Sequence, residues 1–255
     1  MLARIPTTVG MLLTMMLTVG CSPGLVTEDD KAEKIVAKAK EEAAAKPKYS
    51  AAAIVQAAMD GKKTVIQQAI KDGNAITAVN FEGFSPMHTA AFGGQLEIVK
   101  LLLDSGMKLD QRSEGKEMTA LHTAAYNGHT NVVKFLLDND IEVDGRDGEG
   151  KSALIHAASG PFAETVQVLL DAGADVNLAD QTEGFTALMT AAAEGQLEVV
   201  KLLMQRGADP TMQDIDTDTA LSFAMKRRQT EVVNYLSAAM KESLESPESR
   251  SPKSE

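Results

Sequence analysis

At 255 residues the chain could form one or two globular domains, but 44% hydrophobic and only 4% aromatic residues, with no Trp, leave Ala, Leu, Val, Ile and Met to build the core, which favours thin helices over a β-sandwich. A formal charge of −11 argues against nucleic acid, whose phosphates need clustered Lys and Arg, and points to a basic or neutral protein partner. The single cysteine, Cys21, excludes an intrachain disulfide, so folding does not depend on redox state.

Residues 1–20 open with one basic residue, Arg4, run through apolar positions from Val9 to Val19 and end in small residues. That is the three-part build of a secretory signal, and its apolar run is about half of the roughly 20 residues a bilayer span requires. Leu17-Thr18-Val19-Gly20-Cys21 resembles a bacterial lipobox, with Thr18 standing where Leu is usual. The resemblance implies that Cys21 is lipidated and becomes the mature N-terminus, and that Ser22 after it directs the protein to the outer membrane. The expected address is the cell envelope, lipid-anchored and facing the periplasm; the bland alternative is an ordinary secreted protein. Residues 21–48 then read as a tether: a flexible Ser22-Pro23-Gly24, a helix start at Thr27-Glu28-Asp29-Asp30, an Ala, Glu and Lys stretch to Lys46, and Pro47 as its stop.

From residue 49 to 240 one pattern recurs. Its opening residues, Ala52, Ser85, Thr119, Ser152, Thr186 and Thr219, lie 33 or 34 positions apart. Each hydroxyl is placed to cap a short helix, worth about 1 kcal/mol, and Pro86 fills a first-turn position where its missing N–H costs nothing. Paired alanines such as Ala90-Ala91 and Ala124-Ala125 let neighbouring helices approach closely, and Gly94, Gly128 and Gly195 permit the left-handed turn that follows. A second helix carries apolar residues at i, i+3 and i+4, as in Ile98-Val99 with Leu101-Leu102, which only the adjacent unit can bury. Units of this kind, with Ser85-Pro86-Met87-His88-Thr89-Ala90-Ala91 and Thr119-Ala120-Leu121-His122-Thr123-Ala124-Ala125 as their clearest signatures, resemble ankyrin repeats. The fold class expected is an all-α ankyrin-repeat solenoid of about six helix-turn-helix units joined by hairpin-like fingers, with units starting near 49, 82, 115, 149, 183 and 216. The end units are irregular, as terminal units of a stack should be, and residues 241–255 read as a disordered tail.

Nothing here assembles a catalytic site. His88 and His122 suit a structural bond back to the capping hydroxyl, His129 follows a turn glycine, and His156 is out of register by one. No zinc-protease motif or nucleophile elbow is present. Asp214 to Asp218 resembles half a calcium loop, but Thr219 and Met225 stand where Gly and Glu are needed, so an acidic fingertip is the reading. No enzyme activity, cofactor, metal or small-molecule substrate is expected, and the chain is expected to be a monomer.

In ankyrin-type stacks, partners meet the fingertips and the concave face of the first helices. Residues that vary there are the candidates for partner contact: Phe81, Phe84, Arg112, Lys116, Arg146 and Phe185 on the fingers, and Phe92, Tyr126 and Glu194 near the end of the first helix. Aromatics and arginines are the usual interface hot spots, although Phe84 and Phe185 could equally cover the finger base. Phe162 is the tenth candidate. Ser159-Gly160-Pro161-Phe162 replaces the usual glycine turn, putting an aromatic at a normally polar position, either as a knob at the mouth of the groove or as local packing. The function expected is protein binding; the alternatives are an immunity or inhibitor protein that neutralises a toxin or enzyme, or a helper of an oxidative-stress enzyme.

Overall fold

The computed structural model describes residues 48–74 and 76–245, with side chains through Lys241. The signal segment, Cys21 and all but the last residue of the tether lie outside the described residues, as does the tail beyond Glu245.

Twelve helices follow in six pairs among the described residues: α1 (Ala51–Met59) and α2 (Lys63–Lys71), α3 (Pro86–Phe92) and α4 (Leu96–Asp104), α5 (Ala120–Tyr126) and α6 (Thr130–Leu137), α7 (Ala153–Ala158) and α8 (Ala163–Asp171), α9 (Ala187–Glu194) and α10 (Leu197–Gln205), α11 (Ala220–Lys226) and α12 (Thr230–Glu245). First helices pack on first helices and second on second, unit after unit. None of them is long and apolar enough to cross a membrane. Two boundaries differ from the sequence expectation. The first unit is capped by Ser50, whose hydroxyl accepts the Ala53 N–H at 3.2 Å, so α1 begins ahead of Ala52. At the other end α12 continues past 240 to Glu245.

The stack is held by one residue at a constant register in the last five second helices. Leu102, Leu136, Leu169, Leu203 and Leu236 are all fully buried, with Val99, Val133, Val166 and Val200 beside them. Truncating such a leucine to alanine costs about 3–5 kcal/mol because both transfer energy and packing are lost. Alanines do the corresponding work between first helices: Ala90, Ala91, Ala124, Ala125, Ala157, Ala158, Ala191 and Ala192 have no exposed surface, so each helix sits directly against the next.

Polar stitches add register. The Thr89 hydroxyl donates to the Val55 carbonyl at 3.0 Å and the Thr123 hydroxyl to that of His88 at 3.1 Å, each crossing to the preceding unit. The turn glycines adopt the left-handed conformation expected of them, with φ of 69° at Gly94, 68° at Gly128 and 73° at Gly195; Arg228 takes the same position at φ 61°, where a side chain is strained. The fingers carry no strand among the described residues but are linked by backbone bonds, Glu114 N–H to Gly83 O, Gly148 N–H to Lys116 O and Ile215 N–H to Glu183 O.

Candidate functional site

His88 and His122 secure the finger bases. Each Nδ1 accepts a backbone N–H, from Ser85 and from Thr119, both at 3.2 Å, which leaves the proton on Nε2. From there His88 donates to the Met118 and Gln111 carbonyls at 2.8 and 3.0 Å, and His122 to those of Gly145 and Lys151 at 2.9 and 3.2 Å, each a unit further on. Burial lowers the pKa of His88, and burial together with the neighbouring His156 ring pushes His122 down to about 4. By these bonds both crosslink successive units, beyond the contact with the capping hydroxyl that their motif position suggested, 2.8 Å from each Nδ1.

His156 is different. It occupies the register of Thr89 and Thr123, but instead of bonding to the preceding unit it reaches its own finger, with Nε2–H donating to Asp147 Oδ2 at 2.8 Å. The other oxygen of Asp147 accepts the Glu149 and Lys151 amides, both at 2.9 Å. Burial would raise the Asp147 carboxyl, yet the bonds from His156 and from these amides outweigh it and hold it at about 2. Edge-on contacts then join His156 to His122 and to Tyr126, with ring centroids 5.7 and 6.0 Å apart. His156 is visibly out of register in the sequence, but its partner is not apparent there; the signal was a histidine replacing a threonine nine residues after a finger aspartate.

Tyr126 and His156 form the wall shared by two grooves that run between the first helices and the fingers. The first, of about 460 Å³, lies between Met59, Phe92 and Tyr126 on the helix side and Glu82, Lys116 and Glu149 on the finger side. The second, of about 530 Å³, runs on from Tyr126 and His156 to Phe185, Glu194, Lys226 and Arg227. Six of the ten expected contact residues line them: Phe84, Phe92, Lys116 and Tyr126 the first, Phe185 and Glu194 the second, with Tyr126 common to both.

The aromatics are unevenly disposed. Phe81, Phe92 and Tyr126 are 97%, 43% and 49% exposed, and they are the exposed aromatic side chains among the described residues. All three belong to the N-terminal half. In the second groove Phe185 and Phe223 instead pack on each other, centroids 4.7 Å apart, and are half-buried. Phe84 is also half-buried, its ring 5.7 Å from that of His88, so it covers a finger base while still lining the first groove.

Arg112 and Arg146 turn inward to neighbouring fingers. Arg112 donates to the Glu117 and Arg146 carbonyls, and Arg146 to those of Gly150 and Ala179, the latter two both at 2.7 Å. Their guanidinium groups are staples between successive fingers. Lys151 is held by Glu149 at 2.6 Å, and Lys226 by Asp218. With these cations engaged, the fingers present their carboxylates. Acids outnumber bases on four of the five fingers and equal them on the one between α4 and α5.

Phe162 lines neither groove among their described lining residues. Its half-buried ring lies between Gly128 and Gly160, so close that a Cβ placed on Gly128 would meet it at 2.1 Å. The corresponding residues in other units are polar and cross to the preceding unit: the Gln196 amide donates to the Ser159 carbonyl at 3.4 Å and the Gln229 amide to that of Ala193 at 3.1 Å. Here aromatic packing takes the place of that bond. The suspected calcium loop closes on itself, Asp214 Oδ1 accepting the amides of Asp216 and Asp218 at 3.0 and 2.8 Å, and no group of three or more metal-ligating side chains is found among the described residues.

A family model described as ankyrin repeats (3 copies) matches residues 32–147, 109–180, 143–214 and 162–246, overlapping windows that cover most of the chain. The comparison with curated proteins gave no match. With paired helices at a 33–34-residue period, hydroxyl caps and left-handed glycine turns all in place, the chain belongs to the ankyrin-repeat family, whose members are protein-interaction modules.

Proposed function

We propose that this protein is a binding module that holds a segment of another, basic protein along the two concave grooves, tethered in the cell envelope through a lipid on Cys21. The observation that carries the binding reading is the run of groove from Met59 past Tyr126 to Arg227, flanked by exposed aromatics although nothing in the fold requires them to be exposed. The acidic fingers support a basic partner, since complementary charge speeds encounter and suppresses wrong partners. The tether and the envelope address rest on the lipobox resemblance at Leu17 to Cys21 and on the signal-like segment before it.

The test compares three baits in envelope extract: the unaltered chain, a Phe92→Ala/Tyr126→Ala chain and a Glu164→Ala chain altered on the convex face. Loss of two anchoring aromatics is expected to weaken retention of the partner at least about tenfold, while Glu164→Ala retains it. Equal retention by all three would remove the grooves from the function. Salt-sensitive capture of one toxin or enzyme with loss of its activity would favour the inhibitor reading, and restored activity of an oxidative-stress enzyme the helper reading.

A further inference from the structure

The two grooves are chemically unlike, although the same repeat builds both. In the first, the last residues of the first helices are Met59, Phe92 and Tyr126; at the same register further along stand Ser159, Ala193 and Lys226. Exposed aromatic side chains at this register are thus confined to the N-terminal end, where Phe92 and Tyr126 are nearly half exposed. The charge is also one-sided. Glu82, Asp147 and Glu149 line this groove against a single lysine, Lys116, and the carboxylate of Glu82 has no partner among the described residues. In the second groove Lys151, Lys226 and Arg227 offset Asp180, Glu183 and Glu194, and its aromatic pair is packed against itself.

A side chain that suits rings and carboxylates together has an apolar stem and a cationic head. Lys and Arg lay their methylene stems on apolar surface while the head seeks charge or a ring face. A carboxylate would be repelled by Glu82 and Glu149, and a wholly apolar side chain would leave Glu82 without a counter-charge. Asp147 is already committed to His156 and two backbone amides, and one oxygen of Glu149 to Lys151, so the recognition falls first to Glu82, with the remaining oxygen of Glu149 as its second acceptor. We infer that the first groove receives a Lys or Arg side chain of the partner, its stem along Phe92 and Tyr126 and its head toward Glu82 and Glu149. This rests on the concave face being the binding surface, and it adds which groove anchors the partner and with what kind of residue.

The test uses three blocked tripeptides, acetyl-Leu-Arg-Leu-amide and its Gln and Glu counterparts, titrated into the full-length ¹⁵N-labelled chain. The arginine peptide is expected to shift the amides of Phe92, Tyr126 and their fingers saturably, leaving those around Phe223 in place, and to bind about tenfold more tightly than the glutamate peptide. Glu82→Gln with Glu149→Gln is expected to weaken the arginine peptide about fivefold and leave the glutamine peptide unchanged. Tyr126→Leu, which keeps an apolar surface but removes the ring, is expected to weaken it about threefold. Equal affinity for the three peptides, preference for the glutamate peptide, or no shift at the first groove would overturn the inference. So would the same shifts appearing on concentration of the chain without peptide, which would give the groove to a second copy. None of these results would alter which bait retains the natural partner, so the broader reading stands or falls separately.

Discussion

Phe162→Ala separates packing from binding. The ring sits between the backbone of Gly128 in the preceding unit and Gly160 in its own turn and is half-buried. Complete truncation of a buried phenylalanine costs about 3–5 kcal/mol, so a half-buried ring should lose about 2 kcal/mol. For a domain of this size that lowers the thermal midpoint by roughly 4–8 °C. Phe162→Gln should recover part of the loss, because a glutamine at the same register of the next unit donates its amide to the preceding turn. Midpoints can be read by circular dichroism and checked by urea titration, and retention of the partner should stay within about twofold because the ring lies outside both grooves. An unchanged midpoint with weakened retention would make Phe162 a binding knob and refute the packing argument.

The pH dependence of stability follows from His122. Unfolded, a histidine titrates near 6.5; folded, His122 is held down to about 4. Between those values the unfolded chain binds the extra proton, so stability should fall by roughly 3 kcal/mol as pH drops from 6.5 to 4 and be flat in this respect above. His122→Gln should reduce the slope measured by urea titration across that window; identical slopes would sink the assignment. Arg228→Gly relieves a side chain held at φ 61° and should raise stability by about 0.5–1 kcal/mol; a lower thermal midpoint would show that the arginine makes a compensating contact. Cys21→Ala should move the chain from the membrane to the soluble fraction of the envelope, and persistence in the membrane fraction would argue against lipidation.

The repeat period made most of the fold legible. Within a unit the hydroxyl cap, the alanine pair, the glycine turn and the leucine register are local signals, and the helix pairs follow them except at the ends, where Ser50 caps the first unit and the last helix runs on to Glu245. What stayed hidden were the contacts of the fingers and those between units. Arg112 and Arg146 are partner-contact candidates when each finger stands alone; they lie one period apart, and the first donates to the backbone of the second. The pairing of His156 with Asp147 needed the finger to fold back over its own first helix, which spacing alone does not reveal. For Phe162 the deciding neighbour was a glycine one unit earlier, a residue with no side chain to advertise the contact. Phe92 and Tyr126 were legible as candidates because they vary at a fixed register, and burial then distinguished them from Phe84 and Phe185.

The most direct test of the concave face as the working surface is site-specific photocrosslinking in cells. A benzophenone side chain in place of Tyr126, on the wall common to both grooves, should yield one discrete adduct with a partner protein, whereas the same probe in place of Lys201 on the convex helix α10 should yield none. Adducts from Lys201, with Tyr126 silent, would contradict the account.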